Sequence, residues 1–162
     1  MIYSKTCEFA IRALIYFADH PEKPVASIKD VARESGVSSS YVAKIFQCLV
    51  KSRILASRRG LYGGFSLSNP ATQLTLLEVI RALDDLKKSP FSNCIMGFER
   101  CNDREPCPLH PVWTKAKEKM MQRLNDCTIA DVAALGGKFK RGKQRKHHLS
   151  KQMREIFSVQ PC

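Results

Sequence analysis

The sequence predicts a mainly α-helical protein with a small β-hairpin, a winged helix-turn-helix domain followed by a long dimerisation helix. Three observations predict it. Two short amphipathic segments meet at Ser35-Gly36-Val37, two short strand-like segments flank a glycine-rich tip at residues 60–64, and a long apolar stripe runs from Trp113 to Cys127.

Ser4 is placed to cap a first helix from Lys5 to His20, with Phe9, Ala10, Ala13, Leu14, Tyr16 and Phe17 on a broad apolar face and Pro21 as its stop. Ser27 precedes Asp30 at the spacing of an N-cap with an acid at the third helical position, so a second helix starts there, buries Ile28, Val31 and Ala32, and ends near Gly36. A third helix begins at Ser38, whose hydroxyl can cap it, and carries Tyr41, Val42, Ile45, Phe46, Leu49 and Val50 at helical spacing. Two short helices around a glycine turn form a helix-turn-helix, in which the second enters the major groove.

Residues 54–59 and 65–68 read as two strands whose connection, Gly60-Leu61-Tyr62-Gly63-Gly64, permits the backbone angles of a hairpin tip, giving a wing. Thr75-Leu76-Leu77-Glu78 is a capping box that opens a helix through Val79, Ile80 and Leu83 to about Leu86. Between Ser89 and His110 apolar periodicity vanishes and Pro90, Pro106 and Pro108 appear. Beyond Pro111, the stripe Trp113, Ala116, Met120, Leu124 and Cys127 marks a long amphipathic helix suited to dimer packing. Thr128-Ile129-Ala130-Asp131 caps a short last helix that Gly136-Gly137 ends. The expected organisation is therefore a DNA-binding domain over 1–88, a cysteine loop over 89–110, the dimerisation helix and short C-terminal helix over 111–137, and a basic, flexible tail over 138–162.

The 162 residues carry 27 Lys and Arg against 15 Asp and Glu, a formal charge of +12 that suits a partner with phosphates. Eight of the basic residues fall between Lys138 and Arg154, so the tail concentrates charge although residues 1–137 stay basic. No apolar run of about twenty residues exists to span a bilayer, and a cytoplasmic protein without a membrane partner is expected. No phosphate loop, nucleophile elbow or metalloprotease pair is present, so no enzyme is expected.

In the third helix, Ser38, Ser39, Ser40, Tyr41 and Lys44 place hydroxyls, a phenol and an ammonium where they can reach phosphates or base edges. In the wing, Arg58 and Arg59 stand beside a tip kept slim by Gly63 and Gly64, suited to the minor groove. Each has a plainer role, the serines as caps and the arginines as solvated strand ends.

The seven cysteines are an odd number, and in a reducing compartment they are better read as metal ligands or reactive thiols than as a disulfide framework. Cys94, Cys101 and Cys107 cluster in the loop with the spacing C-x6-C-x5-C. A loop of about twenty residues without apolar periodicity needs a staple. Thiolates bind iron-sulfur clusters or zinc, and Gly97, Pro106 and Pro108 bend the loop so that its sulfurs can converge. Zinc sites more often show C-x2-C pairs, absent from this loop, which argues modestly against a structural zinc; thiols without metal are the third alternative. Cys48, Cys127 and Cys162 read as packing or terminal residues, and Cys7 as packing with a possible ligand role beside Glu8.

Residues 1 to about 135 resemble the Rrf2 family of bacterial transcription regulators. The likeness rests on the opening Met1-Ile2-Tyr3-Ser4-Lys5, on Gly36 to Phe46, on the wing Arg59 to Leu67 and on the later cysteines. The resemblance implies a homodimer crossed through the long late helix, a palindromic operator in double-stranded DNA and, in the cluster-bearing branch, one iron-sulfur cluster per subunit that tunes DNA affinity. It also implies two alternatives for the fourth ligand. His110 matches the histidine that completes a 2Fe-2S cluster in the iron-sulfur biogenesis regulators, and Glu8, acting from the partner chain, matches the acidic ligand of the 4Fe-4S cluster in the nitric-oxide-sensing repressors. The first cysteine gap is one residue longer than is common in the branch. Glu8 and Arg12 are also spaced as a helical ion pair, and His110 as a cap of the following helix. A cluster-free repressor controlled by a thiol or partner protein is the alternative function, and binding dominated by the basic tail is a third.

Overall fold

A computed structural model describes residues 3–60, 62–84, 93–98 and 102–135. Cys101, Leu86, the glycines Gly136 and Gly137 and the whole basic tail lie outside the described residues. The order is α1 (Lys5–Asp19), α2 (Ile28–Ser35), α3 (Ser39–Lys51), β1 (Leu55–Arg58), β2 (Gly64–Leu67), α4 (Leu76–Leu83), α5 (His110–Asp126) and α6 (Ile129–Ala134). Mostly helical with an antiparallel hairpin, this is the winged-helix class that the sequence predicts.

Local chemistry sets most of the helix starts. Ser4, Ser27, Thr75 and Thr128 each accept a backbone N–H of the following turn, and Thr75 with Glu78 and Thr128 with Asp131 close reciprocal capping boxes. α3 is the exception. Ser38 occupies its N-cap position, but its hydroxyl makes no capping bond and instead lies 3.4 Å from that of Ser40. α2 ends on Gly36 at φ +70, which only glycine adopts without cost and which swings the chain into α3.

The principal core gathers Ala10, Leu14, Val31, Val42, Phe46, Leu49 and Ile129. α1 lies at its centre and is buried on more sides than its predicted face. Ile11 and Ile15 are inside as well, because α6 returns to pack on α1 and adds Ile129 and Val132 to the core. The short C-terminal helix, grouped by sequence with the dimerisation helix, thus completes the core of the winged domain. Backbone pairing holds it there, with Ile129 N–H on the Leu74 carbonyl at 2.9 Å and Leu76 N–H on the Cys127 carbonyl at 2.9 Å.

A smaller core joins Cys7 of α1, Leu77 and Ile80 of α4 and Leu124 of α5. α4 stops at Leu83 and the next residue, Asp84, turns into extended backbone. α5 starts one residue before Pro111, at His110, and reaches the smaller core near its C-terminal end, leaving Val112, Ala116 and Met120 exposed. Among the described residues no helix is long and apolar enough to cross a membrane.

Candidate nucleic-acid interface and cysteine loop

α3 buries Val42, Ile45, Phe46 and Leu49, so helical periodicity turns Ser40, Lys44, Gln47 and Lys51 into one exposed stripe. Ser38 and Ser39 are exposed at its start. Gln47 and Lys51 lie beyond the sequence-predicted set, although the spacing that picks out Lys44 also picks out both. Tyr41 is placed otherwise. Its phenol lies 2.9 Å from the Thr6 hydroxyl, and its ring meets the Phe9 ring edge-on at 5.5 Å, so the side chain faces α1.

The wing is built by an antiparallel register pairing Leu55 with Leu67 and Arg58 with Gly64. A further bridge joins Ala26, just before α2, to Phe65 through two backbone hydrogen bonds of 2.9 Å. The wing is thereby fastened to the segment that launches the helix-turn-helix, a link between distant residues that sequence pattern does not carry. At the tip, a Cβ on Gly63 would stand 2.4 Å from the Arg58 carbonyl oxygen, and one on Gly64 would stand 2.6 Å from that of Ala26. Both glycines are required by close backbone approach. Arg58, Arg59 and Tyr62 are exposed around this tip, Tyr62 at 85%.

In the cysteine loop the structure brings Cys94 and Cys107 together. Their sulfurs lie 3.6 Å apart, and both residues are buried. Two thiolates bound at about 2.3 Å to one tetrahedral ion lie roughly 3.8 Å apart, so this pair fits ligation of a single metal centre. Gly97 at φ +80 closes a turn with its N–H on the Cys94 carbonyl at 3.0 Å. The Met96 backbone N–H, followed by the Cys107 thiol, the Phe98 N–H and the Lys117 ammonium, stabilises a thiolate on Cys94 and lowers its pKa. The third predicted ligand, Cys101, falls outside the described residues. Among those described, no three His, Cys, Asp or Glu side chains are gathered as a metal site.

The two candidates for a fourth ligand stand in different surroundings. His110 is the first residue of α5 rather than its cap, and its side chain is 11% exposed. Its Nε2 lies 2.8 Å from the Asp103 carboxylate and 3.4 Å from the Thr114 hydroxyl, while its backbone N–H binds the Cys107 carbonyl at 2.9 Å. Asn102 supports Asp103 by accepting the N–H groups of Arg104 and Glu105 at 2.9 and 3.0 Å. Glu8 is held between two cations, Lys5 Nζ at 2.6 Å and Arg12 Nη2 at 3.0 Å, the helical ion pair that its spacing allows. Cys7 is fully buried, and burial pushes its thiol up to about 12, which suits packing. Sequence pattern did not point to Asp103. Trp113, expected on the dimer face, donates its indole N–H to the Asn93 carbonyl at 3.0 Å and thereby ties the loop to α5.

Residues 3–135 match the Rrf2 family, described as an iron-dependent transcriptional regulator. Among solved structures, CymR, the global cysteine regulator of B. subtilis, is 23% identical over 84% of this chain and 98% of its own, with a TM-score of 0.68. IscR of T. potens is 22% identical over 83% of this chain and 87% of its own, at a TM-score of 0.64. CymR of Staphylococcus aureus is 22% identical over 80% and 96%, at 0.61. At such identities these three share the fold. Rrf2 regulators bind DNA and generally dimerise, and they are not enzymes. Matched over most of its length, the chain belongs to the Rrf2 family of transcriptional regulators.

Proposed function

We propose that this protein is a homodimeric repressor whose affinity for a palindromic operator is set by an iron-sulfur cluster held on Cys94, Cys101, Cys107 and His110. The observation that carries this reading is the buried pair of sulfurs 3.6 Å apart in a loop whose N–H groups favour thiolate. The spacing suits two thiolates on one iron, as in a 2Fe-2S cluster; in a 4Fe-4S cluster each iron takes one outer ligand. His110 is preferred to Glu8 for two reasons. A ligating histidine commonly donates its other ring N–H to a carboxylate, the relation of His110 to Asp103, whereas Glu8 already neutralises two cations. When bound, the cluster supplies a group sensitive to redox state, nitric oxide and iron supply.

In this reading residues 1–88 carry the DNA-reading surface, 89–110 the cluster loop and 111–137 the dimerisation helix with the short helix after it, in the cytoplasm. The recognition surface comprises Ser38, Ser39, Ser40, Lys44, Gln47 and Lys51, with Arg58, Arg59 and Tyr62 around the Gly63-Gly64 tip. Tyr41 supports this surface from behind. Two copies joined along α5 would present their recognition helices to half-sites one helical turn, about 34 Å, apart. The basic tail, 138–162, adds phosphate affinity without sequence preference.

A second reading draws on the same sulfurs. An external two-electron oxidant, taking two electrons as both thiol protons leave, would join the Cys94 and Cys107 sulfurs at about 2.05 Å, a thiol switch without cluster that the likeness to a cysteine regulator supports. One experiment separates the two. Protein purified without oxygen is assayed for iron and sulfide, examined by visible and electron-spin resonance spectra, and titrated with operator DNA. The cluster reading expects about two irons and two sulfides per chain, lost in Cys101→Ser and altered in His110→Ala but not in Glu8→Ala. Colourless native protein whose DNA binding ignores Cys101→Ser but responds to oxidant would establish the thiol reading instead.

A further inference from the structure

The first turn of α1 touches three parts of the molecule that the sequence leaves far apart. Ser4 donates its backbone N–H to Asp84 Oδ2 at 2.7 Å and its hydroxyl to Asp84 Oδ1 at 2.6 Å. Asp84 directly follows α4, so it stands at the head of the chain segment that enters the cysteine loop. Cys7, one turn on, is fully buried against Leu77 and Ile80 of α4 and Leu124 of α5. Along the chain, α4 precedes the cysteine loop and α5 follows it. From the opposite side of the same turn, the Thr6 hydroxyl meets the Tyr41 phenol at 2.9 Å, and the Phe9 ring meets the Tyr41 ring edge-on. Tyr41 belongs to the recognition helix, one residue from the exposed Ser40.

We propose that the first turn of α1, through Asp84–Ser4 on one side and Thr6–Tyr41 on the other, positions the recognition helix according to the state of the cysteine loop. This rests on the reading of that loop as the sensor. The physical case is one of rigidity. A helical turn capped by Ser4, whose own N–H and hydroxyl are held by a carboxylate that opposes the positive dipole end, moves as a unit. Cys7 fills the space beneath that turn, and its buried thiol also bonds Asp84, which ties the turn more closely to that carboxylate. A displacement of the α4 terminus is therefore transmitted to Tyr41 rather than absorbed. Tyr41, which as a sequence feature belonged to the DNA-reading set, acts here as a positioning residue.

Thr6→Val and Asp84→Ala test the relay in the full-length dimer, since neither residue belongs to the proposed ligand or DNA-reading set. Operator affinity is measured with the cluster loaded and removed. Each variant is expected to keep the wild-type cluster spectrum and to shrink the loaded-to-empty affinity ratio roughly fivefold. The double variant is expected to shrink it no further, because both bonds lie on one route. A second measurement does not depend on the cluster. Hydrogen exchange of the amides from Tyr41 to Lys44 is expected to quicken in Asp84→Ala, although the hydrogen bonds of that residue run to the start of α1. Undiminished ratios in both variants, additive losses in the double, or unchanged exchange at Tyr41 to Lys44 would each overturn the relay. A wild-type protein that binds no cluster would refute the sensor reading and leave the exchange experiment to decide the mechanical link.

Discussion

Two residues show how single positions set the recognition unit. Arg53 sits at φ +61 just after α3, the one non-glycine residue at positive φ among those described. Its N–H binds the Val50 carbonyl at 3.0 Å and the Ile54 N–H binds that of Leu49 at 2.9 Å, the paired bonds of a Schellman ending. Glycine is the residue that this position favours, since an L side chain there costs about 1 kcal/mol. Arg53→Gly is therefore expected to stabilise the protein by up to about 1 kcal/mol, read as a rise in the denaturant midpoint at unchanged slope. A fall in the midpoint would mean that the arginine side chain supplies more than its backbone strain removes. Gly36 makes the converse point, for there the left-handed position at the helix-turn-helix corner already carries glycine.

Between elements, the contact of α1 with α2 contains a titrating clamp. His20, at the end of α1, places Nε2 2.8 Å from Glu34 of α2 and Nδ1 3.3 Å from Glu22, and the Tyr16 ring lies beside it. The Glu34 hydrogen bond raises its pKa first, with Glu22 adding to it and burial opposing. A histidine whose native pKa exceeds its unfolded value stabilises fully below the unfolded value, near 6.5, and loses that contribution as pH rises through the native one. Wild type is thus expected to melt above His20→Gln at pH 5.5, with the gap closing by pH 8.5. A gap constant across that range would show that His20 acts through packing alone. The elements themselves were largely legible, because Ser27, Thr75, Thr128 and Gly36 announce helix ends through bonds made within three or four residues. Links spanning the chain were not. Asp84 on Ser4, Thr6 on Tyr41, Ala26 on Phe65 and the return of α6 onto α1 depend on side chains or strands that periodicity does not pair. Asp103, and the bond by which Trp113 of the predicted stripe reaches Asn93, escaped for the same reason, each resting on a neighbour that only the fold supplies.

At the scale of the whole molecule, the distribution of buried surface separates what one chain completes from what it leaves open. The winged domain closes its own core around α1. α5 contributes Leu124 to the smaller core and anchors the cysteine loop through Trp113, yet Val112 is 69% exposed and Met120 37%, with Ala116 exposed between them. These three residues step by four along one face, the spacing of a helix that buries a stripe against a neighbour. The proposed dimer supplies that neighbour as a second α5, with small Ala116 at the centre allowing close approach of the two helices. Glutamate at this position would bring two like charges and two longer side chains into the seam. Each would have to be desolvated without a partner, at a cost of several kcal/mol. Ala116→Glu is accordingly expected to sediment as a monomer where wild type sediments as a dimer, with the helical circular dichroism of the winged core retained. Because an isolated chain reaches only one half-site, its operator affinity should fall by at least a hundredfold while binding to a single half-site survives. An intact dimer in this variant would move the interface away from the Val112-Ala116-Met120 face.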